Sequence, residues 1–329
     1  MKNILCAVCI FFLMALPASR CSKDGNKGDR PASNGRLTIT GAWALYPMVV
    51  RWAEIYQKKN PDILIDISAG GAGKGMTDAL SESVDLGMVS RDINPAEREK
   101  GAWWISVVKD AVVPTINEKN PLLDVLMTRG LTRKECAQIW LVGSIVNWNS
   151  FGEPGATAPL RVYTRSDACG AAETWAKFIG ASQEDLKGVG VYGDPGIADA
   201  VRNDRFGIAY NNINFAFDAK TGRPIAGIRL LPLDLNGNGK IDPSENFYSD
   251  RHALMKAIAS NRYPSPPARD LHLVSKGIPE KRHILQFLIW ILEEGQDYVD
   301  EAGYIPVSKE KILRQKNMLL KKIGQQTRN

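Results

Sequence analysis

The sequence predicts an α/β protein of two parts, built on mostly parallel strands, and three observations carry that prediction. β-rich runs alternate with amphipathic helical runs from residue 36 onward. Glycine-rich turns sit where strands pass into helices. A length of 329 residues suits two cores of ordinary size rather than one. Apolar residues make up 44% and charged residues 24%, a globular composition. The net charge of +6, from 42 basic and 36 acidic residues, is spread along the chain. There is no basic stripe with stacking aromatics, so nucleic acid is not an expected partner.

The first segment reads as an export signal. Lys2 precedes an apolar run of thirteen residues, Ile4 to Leu16, too short to span a bilayer core of about 30 Å. Ala18 and Ser19 follow, then Cys21, so residues 1–20 fit a secretory signal peptide. Cys21 is placed as the lipid-bearing residue of a lipoprotein, although Arg20 stands where a small residue is usual. Residues 21–35 are polar and are expected to form a flexible tether. Together these features place the protein outside the cytoplasm, in a periplasm or on a cell surface, held to a membrane by lipid. Only Cys136 and Cys169 belong to the folded body, and two cysteines make no disulfide framework.

The body opens with a strand, RLTITG, and a helix from Tyr46 with Pro47 in its first turn. Val49, Val50, Ala53, Ile55 and Tyr56 form its expected apolar stripe. ILIDISAGG is a second strand, GKGMTDALSES a second helix, VDLGMVS a third strand, and Ile105 to Asn117 another strand-rich run. LTRKECAQIWLVG begins with a capping box, Thr132 and Glu135. APLRVYTRS and CGAAETWAKFIG form a further strand and helix, and GIAYNN a short strand. The proline-rich Pro264 to Asp270 reads as a return crossing between the two parts, followed by the helix RHILQFLIWILEEG.

Three strand-to-helix turns carry the functional signal: TGAWALYP (40–47), SAGGAGKG (68–75) and TRSDACGAAE (164–173). A helix N-terminus offers unpaired N–H donors and the positive end of its dipole, so it holds anions. Small residues let a ligand approach the backbone, and ligands in open α/β sheets sit at strand carboxyl ends. SAGGAGKG is not a nucleotide-phosphate loop. Ser68 replaces its first glycine, and Gly75 replaces the hydroxyl residue after Lys74.

TGAWALYPMVVRWAEIYQK, SAGGAGKGMTDAL, SVDLGMVSRDI, LTRKECAQIWLVGSIVNWNSFG, TRSDACGAAETW, FGIAY and AGYIPV keep their order along residues 36–312. In this the chain resembles the periplasmic phosphate-binding proteins of phosphate ABC transporters, in the type II periplasmic-binding-protein superfamily. The resemblance implies two α/β lobes, each a mostly parallel sheet flanked by helices, joined by a hinge, with an anion in the cleft between them. It places lobe 1 at 36–113 plus 268–312, lobe 2 at 114–267, and a C-terminal helix or tail at 313–329. It implies a non-enzymatic receptor with ABC-transporter membrane subunits as partners. Carried over by position, the anion-binding residues are Ala44, Leu45 and Tyr46; Ala72, Gly73 and Lys74; Ser90 and Arg91; and Arg165, Asp167, Cys169, Gly170 and Ala171. Leu45, Ala72 or Gly73, Cys169 and Ala171 stand where the family offers hydroxyls. Arg91 stands where it offers an aspartate that accepts the proton of phosphate. The expected site therefore uses backbone N–H groups and two guanidinium forks, and its ligand is phosphate or a related oxyanion. A second reading is a surface-tethered sensing or adhesion module on the same fold with a degenerate cleft.

LDLNGNGKIDPSE places Asp234, Asn236, Asn238, Lys240, Asp242 and Glu245 at positions one, three, five, seven, nine and twelve of a calcium loop (234–245), with Gly239 at the sharp turn. Calcium, in a structural role, is the expected cofactor. His252, His272 and His283 fall in no metal or triad pattern, and no enzyme is expected.

Overall fold

The computed structural model describes residues 35–152 and 158–326. The expected signal peptide, Cys21 and the tether up to residue 34 lie outside them. In chain order, the first elements are β1 (Gly35–Gly41), α1 (Tyr46–Lys59), β2 (Ile63–Ala69), α2 (Ala72–Leu80), β3 (Leu86–Val89), α3 (Pro95–Glu99) and β4 (Ala102–Asn117). Then come α4 (Leu123–Arg129), β5 (Leu131–Thr132), α5 (Arg133–Ala137), β6 (Arg161–Arg165), α6 (Gly170–Ile179), β7 (Val189–Val191), α7 (Gly193–Asn203) and β8 (Gly207–Asn212). The last are β9 (Ile228–Leu230), β10 (Leu233–Asp234), α8 (Arg251–Ala259), β11 (Ala268–Lys276), α9 (Arg282–Leu292), β12 (Ile305–Pro306) and α10 (Lys309–Gln326).

The strands run β2-β1-β3-β11-β4-β8-β6-β7, with β9 and β12 also paired to β4. The outer sets are parallel, β1 to β2 and β3, and β6 to β7 and β8. β4 and β11 differ from that pattern. β11 runs antiparallel to β3 and β4, and β4 antiparallel to β8, β9 and β12. The reason is connectivity. β4 leaves the first set and continues into the second over 16 residues, about 50 Å of extended chain. β11 returns beside it.

Two apolar clusters flank this pair. One holds Leu37, Ile39, Trp52, Val108, Leu271 and Leu288; the other holds Ala111, Trp140, Trp175, Tyr210, Tyr263 and Ala268. On β4 the change-over falls between Val108 and Ala111, and on β11 between Ala268 and Leu271. Asp110 and Arg269 are paired in register at that point. Charged residues there sit within strands that are mostly buried.

Local signals explain most elements. In α1 the buried stripe is Met48, Val49, Trp52, Ala53 and Tyr56, which follows i, i+4 spacing. Val50 and Ile55 lie beside it, half-buried, and Trp52 donates its indole N–H to the Gly295 carbonyl at 2.7 Å. The Thr132 hydroxyl accepts the Glu135 N–H at 3.2 Å, and Glu135 accepts the Thr132 N–H at 2.9 Å, so the capping box forms. α10 begins at Lys309, four residues before the expected tail, because Leu319 is fully buried against the first cluster. Among the described residues no helix is long and apolar enough to cross a membrane.

Candidate functional site

The three glycine-rich turns meet at one seam between the two cores. α2 opens at Ala72 directly after β2, and Gly73 donates its N–H across the seam to the Ala168 carbonyl at 3.0 Å. A side chain at Gly71 would come within 3.0 Å of Asp167, and Gly71 has φ +92, so only glycine serves there without strain. Gly170, at the start of α6, packs on Ser90 so closely that an added Cβ would overlap the Ser90 carbonyl and hydroxyl oxygens. In the first turn Ala44 and Leu45 are buried, and Tyr46 is half-buried. The Ala44 carbonyl accepts the Tyr304 hydroxyl at 2.7 Å. Trp43 lies against Gly193 at the start of α7.

Arg165, at the end of β6, is the hub. Its side chain is fully buried. Nε and Nη2 donate to the two Asp167 oxygens at 2.8 and 2.7 Å, and Nη1 donates to Asp194 at 2.7 Å. The other Asp194 oxygen accepts the Asn212 amide at 2.6 Å. Asn212 in turn accepts a hydrogen bond from Arg269, whose Nε donates to the Ser90 carbonyl at 2.7 Å. Arg269 Nη2 stands 3.7 Å from Asp110, an ion pair too long for a hydrogen bond. Two guanidiniums thus face three carboxylates, all buried. Burial in low dielectric pushes the Asp110 carboxyl up to about 7, against the pull of Arg269.

Of the other cations expected at the anion, Arg91 lines a cavity of about 380 Å³ with Gly73 and Cys169, and both it and Lys74 are paired with carboxylates. Arg91 makes a forked ion pair with Glu97, at 2.6 and 2.9 Å, and donates to the Asp92 carbonyl. Lys74 pairs with Asp78 one turn along its own helix, and Asp78 also accepts the Thr40 hydroxyl at 2.7 Å. A second buried guanidinium at the seam is that of Arg269. Asp110, Asp194, Asn212 and Arg269 were not read from the sequence. The signals were present: GDPG is a fourth strand-to-helix turn, and Asp110 is a lone acid in an apolar strand.

Cys169 and Ala171 are buried at the start of α6. The Cys169 sulfur accepts the Ala172 N–H at 3.4 Å, so the thiol fills the capping place of a hydroxyl. Burial pushes its pKa up to about 12, which keeps it protonated. Cys136 and Cys169 are both free and buried. A cavity of about 400 Å³ includes Arg269 in its lining, with Lys109, Lys177 and Lys311 also around it. A larger one of about 660 Å³, near Ser275 and Lys281, touches none of the seam residues. The convergent polar groups, rather than cavity size, locate the site.

The 234–245 loop sits apart from the seam, docked on the second core. Its Leu233–Asp234 strand pairs with Leu131–Thr132, and the Ile241 N–H donates to the Thr128 carbonyl at 2.8 Å. Asp234 accepts N–H groups of Gly237, Asn238 and Gly239, and Glu245 accepts those of Leu235, Asn236 and Asp242. The Asn236 and Asn238 amides both donate to Asp242. Among the described residues no group of three carboxylates or other ligating side chains is gathered tightly enough to hold a metal as it stands.

The chain matches the family described as PBP superfamily domain over residues 28–294. It is 26% identical over 305 residues to the phosphate-binding protein PstS of Bacillus subtilis, covering 91% of this chain and 90% of that protein. It is 24% identical over 375 residues to the phosphate-binding protein PstS of Methanocaldococcus jannaschii, covering 94% and 93%. A putative phosphate ABC transporter substrate-binding protein with bound phosphate from Clostridium perfringens superposes with a TM-score of 0.68 at 23% identity. The alignment covers 83% of this chain and all of that one. An ABC-type phosphate transport receptor from Vibrio cholerae superposes with a TM-score of 0.60 at 17% identity, covering 82% and 100%.

Proposed function

Because the chain belongs to the PBP superfamily, we propose that it is the substrate-binding protein of an ABC transporter and takes phosphate, or an oxyanion like it, at the seam between its two cores. The observation that carries this reading is the convergence on one buried centre of three helix-opening turns and two buried guanidiniums from different strands. Such a centre offers oriented N–H donors to an anion in a medium where they act strongly. The relatives are named as phosphate-binding proteins, which favours this over a sensing or adhesion module with an unused cleft. The N-terminal pattern supports export and attachment through lipid at Cys21, which would hold the body near the transporter's membrane subunits. Calorimetric titration with phosphate, sulfate and molybdate tests the reading. One-to-one phosphate binding supports it, and no binding of any oxyanion would leave the sensing or adhesion module.

We also propose that the loop 234–245 binds one calcium ion. The support is the register of six oxygen-bearing positions and the docking of Ile241, which holds the loop's position eight against the fold. The donor set is all oxygen, which suits a hard cation. Binding would require Asp242 to exchange the amides of Asn236 and Asn238 for the metal or its water. The ion would supply charge neutralisation and order to the loop, with Lys240 contributing its carbonyl.

A further inference from the structure

The C-terminal helix α10 carries features that the anion site does not use. Its 18 residues hold six basic side chains and one acid, Glu310. The rest of the chain has 36 basic residues against 35 acidic ones, so the positive excess gathers on this helix rather than along the whole length. Three of the six cations are committed: Lys311 pairs with Asp270, Lys316 with Glu293 and Lys322 with Glu280. The side chains of Lys309, Arg314 and Lys321 are exposed and make no ion pair or hydrogen bond among the described residues.

The helix buries one side only. Gln315 and Leu319 are buried, and Ile312 and Ile323 are half-buried against the first core. Gln315 fixes this orientation, accepting the Ser106 N–H at 2.7 Å and donating to the Ser106 carbonyl at 2.9 Å. On the other side Leu313 is 58% exposed and Leu320, seven residues on, 45%. Arg314 and Lys321 repeat that spacing one residue later. Seven residues are close to two turns, so the leucines form one row and the cations a second beside it. Glu310 is the one acid on this side. An aliphatic row flanked by uncommitted cations matches the interface of an anionic bilayer. The leucines enter the acyl boundary while the cations meet headgroup charge. Single-stranded nucleic acid would need aromatics on which to stack its bases, and α10 has none.

The point where the chain enters the body supports the same partner. Gly35, the first described residue, packs on the His283 ring so closely that an added Cβ would lie 2.8 Å from it, and His283 Nε2 is 3.1 Å from the Arg36 carbonyl. His283 lies in the first turn of α9. Just before that turn, Glu280 pairs with Lys322 at 3.5 Å, and its carbonyl accepts the Gln326 amide. Chain entry is therefore beside the last turns of α10. Cys21 is fourteen positions before Gly35, a reach of at most about 50 Å.

We propose that α10 lays its Leu313 and Leu320 face on the anionic surface of the membrane to which the chain is tethered, a second attachment that orients the body. This rests on the proposed attachment through Cys21 and not on the anion site. A tether alone leaves the body free to turn within its reach. A weak second contact then acts at the high local concentration that the tether sets.

The test is co-sedimentation with vesicles of phosphatidylcholine alone, or of phosphatidylcholine with about 30% phosphatidylglycerol to give an anionic surface. The protein is the chain from residue 21 on, the form that signal cleavage leaves, made without lipid. Partitioning into the anionic vesicles is expected to exceed that into neutral ones at least tenfold, and to be lost at about 1 M salt, where the screening length is about 3 Å. Each cation near an anionic surface is worth about fivefold, so Arg314→Gln with Lys321→Gln should lower partitioning about 25-fold. Leu313→Ser with Leu320→Ser should lower it at least tenfold. Neither pair should move Tm, because the side chains lie on the exposed side of the helix. Equal partitioning into both vesicles, none into either, or partitioning that both pairs leave unchanged overturns the proposal. So does a dimer in solution that Leu313→Ser with Leu320→Ser abolishes, which assigns the face to a second copy. The protein in this titration carries no lipid, so its outcome is independent of Cys21. The mass of the protein extracted from membranes reads acylation separately, and the two readings fail distinguishably.

Discussion

Arg165→Ala removes the hub of the seam, and the structure makes its consequence larger than the sequence implied. Read from sequence, Arg165 is one of the anion-binding residues. In the structure its side chain is fully buried and each of its three nitrogens is committed to a carboxylate oxygen of Asp167 or Asp194. Truncation leaves both carboxylates buried without their cation. Breaking a buried pair from one side costs about 3–5 kcal/mol, a large part of a total stability of about 5–15 kcal/mol. For a chain of this size that is a fall in Tm of roughly 10 °C. Urea unfolding of wild type and variant at pH 7 checks the size of the loss. A charge-neutral triple variant, Arg165→Met with Asp167→Asn and Asp194→Asn, should recover much of the stability without recovering anion binding. An Arg165→Ala unfolding free energy within about 0.5 kcal/mol of wild type, the ordinary range for a surface change, would refute the reasoning.

His272 is 6% exposed, its Nδ1 lies 3.2 Å from the Ser106 hydroxyl, and burial lowers its pKa to about 4. The ring stays neutral in the fold while the unfolded chain takes a proton, so about 3 kcal/mol of stability is lost as pH falls from 6.5 to 4. His272→Gln should remove that slope, and an unchanged pH profile would argue against it. If loop 234–245 binds calcium, chelator should lower Tm and Glu245→Gln should reproduce most of that loss; Asp242→Asn should matter less, because position nine often binds through water. A melting curve indifferent to chelator and to added calcium rules the ion out. Gly170→Ala should weaken phosphate binding at least tenfold, since its Cβ would collide with Ser90 and force the seam apart; unchanged affinity would remove the seam from the site.

The elements were legible wherever a local signal was strong. The capping box at Thr132, Pro47 at the start of α1 and the glycines that open α2 all act within a few residues, and each does what its chemistry implies. The convergence of the turns was also foreshadowed, because each ends a strand where helix donors are exposed. Partner choice among charges was not legible. Arg91 and Lys74 each pair with a carboxylate near in sequence, Glu97 six residues on and Asp78 one helical turn on, and which partner a charge takes is not written in its own residue. Arg269 and Asp110 lie 159 residues apart in sequence and meet only because β4 and β11 cross the molecule side by side. No periodicity within either strand encodes that register.

Titration of the full chain with inorganic phosphate at pH 7.5, followed by heat, tests most directly whether the seam is an oxyanion site. Binding of one phosphate per chain, weakened at least tenfold in Gly170→Ala, is the expected result. Phosphate binding that survives Gly170→Ala unchanged, or no binding of phosphate, sulfate or molybdate at all, would contradict it.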